Sequence, residues 1–525
     1  MAGLSQSFID EIVAIEDAAA LLAEARRSGS KKLARDGAAR GARCTPLLIE
    51  AADLLTALGE PAEALVILRG GLGLTGPTAP LQRAYARHCR VAGDLDEAAR
   101  WMQGAMLRAR ATAAMALELC EIEYARADPQ AAQDALALAV RLRWLDPEGL
   151  RSAFQRLMDA GHGAAAIVPA MMLHQRGADD PALRRTLADL VQTCDPCSEL
   201  PEPVVNAMRL DDPVTMLHLA GSAAHDSLLE GFDTAGTIDL ARRREASDRW
   251  IAEPDLWDFL RRQVERGEPF SFVRMSDGEG RFVAGARPAL FPWLKARDAR
   301  AMLAQIWMNW FGQDVDLAAP ERLSALVDAF ETAIRNAGLV GRTSAAMYEH
   351  DRRHFGYRAA LDDWIDRPRS AASGSAPAHV QYHTEALNAL LLSRRDPFLA
   401  KLLAGQDFIG AISPHAGLAG RLALEIGATR HRDHVIPGET RLGRAQERAD
   451  RGAHFPMVFD RMMAEIAVPH RGACFVVAGG LLGKIYCERI RQLGGIALDI
   501  GAVADGWMGF NTRGEGFQTA EPPTP

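Results

Sequence analysis

The sequence predicts a chain with two parts, an N-terminal all-α helical repeat array and a C-terminal α/β domain with a mostly parallel sheet. Three observations indicate this division: a phrase that recurs every 34 residues, a shortage of aromatic residues that ends near Trp250, and apolar strands that alternate with helices beyond Pro254. Because 525 residues exceed what one hydrophobic core usually organises, two or three domains are expected.

The repeat is a turn between two helices. Its turns fall at residues 59, 93, 127 and 161, and an alanine follows each turn by five residues: Ala64, Ala98, Ala132 and Ala166. Three of the copies also carry a small residue seven positions before the turn: Ala52, Ala86 and Cys120. Glycine or another small residue permits the turn, and the alanine lets the second helix lie close against the first. The sequence therefore predicts helical hairpins within residues 1–192.

The period and the small positions resemble those of tetratricopeptide repeats over residues 47–177. The fourth copy departs from the pattern with Phe154 in its first helix, and all four copies lack the family's late proline. The resemblance implies stacked helix pairs with an extended groove that holds a peptide or a protein segment. An alanine-rich helical array whose concave face binds nothing is the alternative.

The composition excludes several classes of protein. A formal net charge of -8 and a pI near 6.0 give no global attraction to nucleic acid. Acidic residues near the N-terminus stand where a secretory signal has basic ones, and no apolar run is long enough to span a bilayer. The cysteines follow no paired pattern, which fits a reducing compartment. We therefore expect a cytoplasmic protein without a membrane span.

Proline and glycine punctuate residues 193–247, which predicts a linker or a helical cap. Residues 248–512 form the predicted α/β domain, and 513–525 a disordered tail. The expected strands of the α/β domain are 270–275, 339–343, 408–413, 434–437, 474–478 and 496–500. Ligands of parallel sheets bind at the carboxyl ends of the strands, so the residues that follow each strand are candidates for a functional site.

Two carboxylates follow the first expected strand. Asp277 and Glu279 flank a glycine, so both side chains can face one divalent cation, and their hard oxygen atoms suit Mg²⁺ or Mn²⁺. Arg274, on the strand itself, offers a bidentate guanidinium to a phosphate. A solvated Asp-Gly turn without a ligand is the alternative.

A glycine-rich turn follows the expected strand at 474–478 and leads into a helix. Backbone N–H groups at this helix start, around Gly479, Gly480 and Gly483, can bind a pyrophosphate, and Lys484 adds a positive charge. The turn does not match a P-loop. Close packing of the helix against the strand, without a ligand, is the alternative.

The last expected strand is followed by two acidic residues. Asp499 lies at the strand end and Asp505 in the loop beyond it, so either carboxylate can act as a base or bind a ribose. A turn-forming aspartate and a surface aspartate fit the pattern equally well. Further polar residues near strand ends are His415, Glu439 and His454.

Together these segments resemble the bacterial glycosyltransferases of the GT-D fold over about 250–510. The resemblance lies in Asp277-Gly278-Glu279 after its strand and in the segments 454–456, 477–486 and 494–501. It implies a single Rossmann-like domain, a nucleotide-sugar donor of the UDP-linked type, and a Mn²⁺ or Mg²⁺ ion bound by Asp277 and Glu279. A metal and a cationic loop stabilise the charge on a departing nucleoside diphosphate, while a carboxylate accepts the acceptor's proton.

The chain departs from the family near its C-terminal end. Some members carry a histidine after the Asp-Ile-Gly segment and a glutamate six residues beyond, where this chain has Ala502 and Met508. Asp505 is the substitute candidate for the missing metal or base role, and Asp499 is the second catalytic candidate.

The sequence favours a metal-dependent glycosyltransferase that moves a sugar to a protein or glycan acceptor chosen by the repeat domain. A lipid-linked or polysaccharide acceptor is the rival. Two other functions stay open: a non-enzymatic adaptor, which Ala502 and Met508 favour, and a nucleotide-dependent oxidoreductase, which Ala478-x-Gly480-x-x-Gly483 favours. The oxidoreductase is the weaker of the two, because a dinucleotide site is built from paired βαβ halves.

Overall fold

The computed structural model describes residues 6–142, 146–367, 380–386, 398–439 and 453–510. It divides into two compact units, Met1–Met216 and Leu217–Pro525. The segment expected to be a linker or a cap, 193–247, contains helices on both sides of this division. The expected tail, 513–525, lies outside the described residues.

The described part of the first unit is helical. Its helices are α1 (Gln6–Ser28), α2 (Lys31–Arg40), α3 (Thr45–Ala57), α4 (Pro61–Thr75), α5 (Ala79–Ala92), α6 (Leu95–Arg108), α7 (Ala113–Ala125), α8 (Pro129–Arg141), α9 (Pro147–Asp159), α10 (Gly163–His174), α11 (Pro181–Thr193), α12 (Pro196–Glu199) and α13 (Glu202–Met208). The next helix, α14 (Pro213–Leu229), contains the point at which the units divide. Helices α3 to α10 form the four hairpins expected from the repeat.

The four turns of the repeat share one backbone conformation. Gly59, Gly93 and Gly161 have φ angles of 84°, 83° and 79°, and Ala127 has a φ of 58°. The residue after each turn donates its N–H to a carbonyl five residues earlier, a bond typical of helix C-termini that end in a left-handed residue. The small residues that follow are fully buried: Ala64, Ala98, Ala132 and Ala166. The helical repeat predicted from the sequence is therefore confirmed.

Ala127 is the one non-glycine residue among these four turns. A left-handed backbone costs a residue with a Cβ roughly 1–2 kcal/mol, whereas glycine adopts it readily. We expect Ala127→Gly to raise the free energy of unfolding of the first unit by about 1 kcal/mol in urea denaturation followed by circular dichroism.

The matched control is Gly93→Ala at the equivalent turn. An added Cβ at Gly93 meets no atom within 4 Å, so only the backbone conformation opposes it. This variant should lower the free energy of unfolding by about the same amount. If Ala127→Gly leaves stability unchanged while Gly93→Ala lowers it, the third turn does not have the left-handed conformation described above.

Side-chain hydrogen bonds connect the first helices of neighbouring repeats. Three of them join residues 35 positions apart: Asp53 with His88, Arg83 with Glu118, and Glu121 with Arg156. The Glu121 carboxylate is 5% exposed and also lies 2.8 Å from Arg90, so it contacts both neighbouring repeats. The stacking of the repeats is therefore held by a second periodic pattern, in addition to the small residues near the turns.

Seven parallel strands form one sheet in the described part of the second unit. They are β1 (Phe270–Arg274), β2 (Leu339–Arg342), β3 (Tyr382–Glu385), β4 (Phe408–Ser413), β5 (Arg430–Val435), β6 (Cys474–Val477) and β7 (Ile496–Asp499). Their order across the sheet is β3-β2-β1-β7-β6-β4-β5, and every pair of neighbours is parallel. The expected parallel sheet is confirmed.

Within the described ranges, the α-helices of this unit after α14 lie before, between and after the strands. They are α15 (Thr234–Glu245), α16 (Glu253–Arg266), α17 (Asp277–Ala286), α18 (Ala296–Phe311), α19 (Pro320–Asn336), α20 (Ala345–His350), α21 (Phe355–Asp366), α22 (Phe398–Leu403), α23 (Leu418–Ile426), α24 (Phe459–Glu465), α25 (Gly480–Gln492) and α26 (Val503–Trp507). Across both units, no helix within the described ranges is long and apolar enough to cross a lipid bilayer.

Helices cover both faces of the sheet. Side chains alternate along β1, so Phe272 lies in one hydrophobic core and Val273 in another. The core around Val273 includes α17, α18, α19 and α25, and the core around Phe272 includes α16, α22 and α23. Within the first of these, an added Cβ at Gly280 would lie 2.0 Å from the carbonyl oxygen of Tyr357, so glycine lets α17 approach α21.

The predicted and observed strands differ at the two edges of the sheet. The edge strand β3 is not predicted from the sequence, and the prediction of 434–437 for the other edge is wrong because β5 spans Arg430–Val435. The five remaining predictions agree with the observed strands to within one residue at each end. The interior of the sheet is therefore the part that the sequence predicts.

A buried cluster of charges joins β2 to α15 and α21. Arg342, 1% exposed, lies 2.9 Å from Asp362 and 2.5 Å from Asp366, and Arg244 lies 2.8 Å from Asp362. Burial alone would raise the pKa of Asp362, but the two arginines hold it below its usual value. Burial, together with the same arginines, lowers the pKa of His383 on β3 to about 4. Arg342 and Asp362 are therefore charged at neutral pH, whereas the neighbouring His383 is neutral.

Candidate functional site

A cavity of about 460 Å³ opens at the carboxyl ends of the strands. Residues that follow β1, β4, β5, β6 and β7 line it. β4 and β6 are neighbours in the sheet, but the chain leaves them toward opposite edges. It continues from β4 to β5 on one side and from β6 to β7 on the other. Parallel sheets bind ligands in the crevice where connections diverge in this way, so this cavity is the candidate site.

The structure brings most of the predicted site residues to this cavity. Those that line it are Arg274, Asp277, Glu279, Gly479, Gly480, Lys484, Asp499 and Asp505. Gly483 lies further along α25, where an added Cβ would be 3.4 Å from Val477. For Gly483 the geometry shows close packing of helix against strand, and its predicted role in binding a cofactor stays a prediction.

The first turn of α17 holds the carboxylate of Glu279. Ser276 precedes this helix, and its backbone N–H and its hydroxyl donate to Glu279 Oε2 at 3.0 and 2.9 Å. Lys484 Nζ lies 2.6 Å from the other oxygen, Oε1. Because Glu279 is only 3% exposed, both of its oxygens have protein partners in a buried setting.

Lys484 is the centre of this buried cluster. Its Nζ lies 3.2 Å from Asp499 Oδ2 and donates to the carbonyl of Gly480 at 3.0 Å. The same oxygen of Asp499 accepts the backbone N–H of Arg274 at 3.1 Å. Burial alone would lower the pKa of Lys484, but the charges of Asp499 and Glu279 raise it above its usual value. Lys484 is therefore a charged ammonium at neutral pH.

Arg274 extends from the end of β1 along the wall of the cavity. An added Cβ at Gly501 would lie 2.3 Å from its Nη2, so glycine at that position leaves room for the guanidinium. Gly501 also has a φ of 49°, a left-handed conformation that glycine adopts readily. The loop after β7 thus allows Arg274 to present N–H donors to an anion in the cavity.

Helix α25 begins at the same cavity. Its N-cap is Gly479, which offers no capping side chain, and its first turn contains no acidic residue. Gly480, the first residue of the helix, has a φ of 55°. The N–H groups of a first helical turn have no partners within the helix, so such an end attracts an anion.

On a second wall of the cavity, acidic side chains alternate with arginines and a histidine. Asp277 Oδ2 lies 3.2 Å from Arg281 and 4.0 Å from His354 Nε2. Asp351 contacts His354 at 3.0 Å and Arg358 at 2.8 Å. Arg358 is buried, and in the described part of the chain its Nε and Nη1 have no hydrogen-bond partner. Two arginines, one histidine and two aspartates therefore face each other along this wall.

Asp505 is joined to a histidine. Its Oδ1 lies 2.7 Å from Nε2 of His415, which follows β4. Because a carboxylate only accepts hydrogen bonds, Nε2 of His415 carries a hydrogen atom and is the donor of this hydrogen bond. His415 is held in turn by its backbone N–H, which donates to Ser413 Oγ at 3.1 Å, and by stacking on Phe510 at 5.1 Å between ring centroids. The Asp505 side chain, 13% exposed, lines the cavity while His415 supports it.

The geometry limits which residues could hold a divalent metal. In the ranges that the structure describes, no group of three or more His, Cys, Asp or Glu side chains is arranged to bind one. Asp277 fits a partial site, because its side chain is 31% exposed and its contacts with Arg281 and His354 use Oδ2. Glu279 does not fit, because both of its oxygens are engaged. Mg²⁺ commonly combines one or two carboxylates with substrate phosphates, so Asp277 and a diphosphate would suffice.

Some residues of the site are not singled out by the sequence. Arg281 follows Asp277 by four positions, a spacing that places both side chains on one helix face and that could have suggested the pair. His354 and Arg358 belong to a segment after β2 that carries no recognisable motif. The sequence indicates His415 as a polar residue near a strand end. Its pairing with Asp505 cannot be predicted, because the two residues are 90 positions apart in the chain.

No protein-family model matches the sequence, and no curated protein matches it. Several solved structures do. The chain is similar to YrrB, described as a TPR protein with an unusual peptide-binding site, with 16% identity, a TM-score of 0.23, and coverage of 36% of this chain and 98% of that one. It is also similar to pilF of Pseudomonas aeruginosa, with 13% identity, a TM-score of 0.28, and coverage of 41% and 98%.

A third similar structure is Naa15/Naa10 bound to HypK-THB, with 12% identity, a TM-score of 0.20, and coverage of 69% of each chain. At these TM-scores the likenesses carry no argument about function. The helical repeat rests instead on the turns, the buried alanines and the hairpins of the first unit.

Proposed function

We propose that the second unit is a glycosyltransferase that takes a sugar from a nucleotide-sugar donor. The observation that carries this proposal is the convergence, at one cavity, of an uncapped helix start, several arginines and an aspartate supported by a histidine. This transfer has two requirements. Some groups must stabilise the departing diphosphate, and a base must accept the acceptor's proton. The resemblance of the sequence to GT-D glycosyltransferases agrees with this chemistry.

The diphosphate of the donor would bind between α25 and Arg274. Backbone N–H groups at the start of α25 suit its oxygens, and the Arg274 guanidinium can bind them in a bidentate manner. The unpartnered N–H groups of the buried Arg358, among the described residues, also suit an anionic ligand. We further propose that a Mn²⁺ or Mg²⁺ ion, held by Asp277 and the phosphates, stabilises the leaving group. UDP as the nucleotide stays a prediction from the resemblance.

We propose Asp505 as the base in preference to Asp499. The Asp505 carboxylate lines the cavity and has a hydrogen-bond donor in His415 that orients it. The Asp499 carboxylate is 2% exposed and contacts both Lys484 and the backbone of Arg274. A base must reach the acceptor hydroxyl, and Asp505 has the greater exposure.

We propose that the repeat unit selects the acceptor, a protein or a glycan, because stacked helix pairs expose an extended surface. We also propose that the reaction takes place in the cytoplasm. The seven cysteines are free thiols, and four of them are buried, which fits a reducing compartment.

The test is turnover of the donor by the full chain. Purified protein with Mn²⁺ is incubated with a panel of UDP-, GDP- and dTDP-sugars, and the released nucleoside diphosphate is measured. We expect release from at least one donor, and we expect Arg274→Leu to lower the rate by about 10- to 100-fold, because hydrogen bonds to charged groups contribute 1.5–3 kcal/mol.

Arg322→Leu is the matched control, since Arg322 is an exposed arginine that pairs with Asp460 away from the cavity. It should leave the rate unchanged. If the parent protein releases nucleotide from no donor, or if both arginine variants behave alike, the proposal fails, and the adaptor function becomes the better explanation.

A further inference from the structure

The carboxylate of Glu279 is fully occupied by this chain's own groups. Oε2 accepts two hydrogen bonds from Ser276, and Oε1 lies 2.6 Å from Lys484 Nζ. A metal ligand needs an oxygen that can turn toward the ion, and both oxygens here are buried and engaged. The residue of the Asp-x-Glu pattern that the resemblance assigns to a metal therefore already has a cation beside it.

Lys484 has no spare donor in this arrangement. An ammonium has three N–H groups, and three acceptors surround Nζ: Glu279 Oε1, Asp499 Oδ2 and the carbonyl of Gly480. The side chain is 6% exposed, so water does not compete for these contacts. Lys484 therefore points between a carboxylate in the first turn of α17 and one at the end of β7, and not toward a phosphate in the cavity.

We infer that Lys484 is a built-in cation that takes the place of a divalent metal at Glu279, separately from the metal site already proposed at Asp277. The inference deepens the proposed function, because it names the source of the positive charge at that site. Two buried carboxylates, one in the first turn of α17 and one at the end of β7, lie on either side of an ammonium near the start of α25. Glu279 and Lys484 are thus positioning residues that fix α25 beside Arg274.

This arrangement has a consequence for metal binding that can be measured without a sugar donor. Replacing Lys484 by a neutral side chain of similar length leaves Glu279 and Asp499 close together without their cation. Hard divalent cations bind paired carboxylates, so the vacated space should attract one. The parent protein should show no Mn²⁺ binding that depends on Glu279.

The experiment titrates Mn²⁺ into the full chain, with free Mn²⁺ followed by electron paramagnetic resonance. We expect Lys484→Met to bind one Mn²⁺ about tenfold or more tightly than the parent, because it gains a paired carboxylate site. The double variant Lys484→Met with Glu279→Gln should lose this gain. A folded Lys484→Met protein that binds Mn²⁺ no better than the parent would overturn the inference.

A second comparison covers the case in which Lys484→Met does not fold. Mn²⁺ is titrated in the presence of UDP into the parent, Glu279→Gln and Asp277→Asn. We expect Glu279→Gln to leave the Mn²⁺ affinity unchanged and Asp277→Asn to weaken it. Loss of affinity in Glu279→Gln would overturn the inference.

An Asp277→Asn protein that retains the parent's affinity would instead count against the proposed metal site at Asp277. Failure of the donor assay would count against the proposed transferase. Neither of these two results bears on the contacts between Lys484 and Glu279, so the three hypotheses can fail separately.

Discussion

Replacing Asp505 by asparagine should lower the rate of sugar transfer by about 10²- to 10⁴-fold, the range that a positioned general base contributes. Asparagine preserves the size of the side chain but cannot accept the acceptor's proton. Donor binding should change little, because the groups proposed to bind the diphosphate belong to β1, α17, α21 and α25, and Asp505 lies on α26. The measurement is kcat at saturating donor and acceptor, with the donor's Kd determined separately by calorimetry.

His415 provides the control for this assignment. Its Nε2–H donates to Asp505 Oδ1 at 2.7 Å and so orients the carboxylate toward the cavity. His415→Phe keeps a ring that can stack on Phe510 but removes the donor. It should lower kcat while leaving the donor's Kd unchanged, and His415→Gln, which brings back a hydrogen-bond donor, should restore part of the activity.

Equal losses of activity in His415→Phe and His415→Gln would show that the hydrogen bond to Asp505 does not explain the effect of His415. A folded Asp505→Asn protein that keeps transfer within about threefold of the parent would show that another group accepts the proton. Asp499 would then be tested next.

Replacing Arg342 by methionine should lower the free energy of unfolding of the second unit by about 3 kcal/mol, near the low end for breaking a buried ion pair. Methionine removes the charge that faces Asp362 and Asp366 and leaves Asp362 in a buried position. The effect stays at the low end because Arg244 still contacts Asp362, and the hydroxyl of Tyr348 still donates to it at 3.0 Å. The measurement is denaturation in guanidinium chloride followed by tryptophan fluorescence.

Asp366→Asn is the companion variant for this cluster. The Asp366 side chain is 56% exposed, so water can replace part of its contact with Arg342 and the loss should be below about 1 kcal/mol. If Arg342→Met costs no more than Asp366→Asn, the buried pair does not stabilise the unit in the way its geometry indicates.

The sequence predicts the centre of the sheet well and its edges poorly, for a physical reason. Interior strands such as β6 are buried on both faces, so they appear as continuous apolar runs. The edge strands have the sequences Tyr-His-Thr-Glu and Arg-His-Arg-Asp-His-Val, which carry no such signal. The backbone register of β3 comes from its pairing with β2 and cannot be read from its own side chains.

The predicted site shows the same limit. Most of the candidate residues lie at one cavity, because they follow parallel strands that all end at the same edge of the sheet. Their roles depend on contacts between distant parts of the chain. Lys484 meets Glu279 and Asp499 only after β1, β7 and α25 are assembled, so a residue expected to bind phosphate is instead found among carboxylates.

The first and last strands of the sheet, β1 and β7, are neighbours at its centre. During synthesis on the ribosome, β1 and β6 therefore expose unpaired edges until nearly the whole second unit has emerged. The hairpins of the first unit depend on neighbours in sequence and can fold well before that. During part of its synthesis, the nascent chain thus has a folded repeat unit and an incomplete sheet with exposed edges that favour aggregation. A chaperone that acts at this stage would have the largest effect on the yield of folded protein.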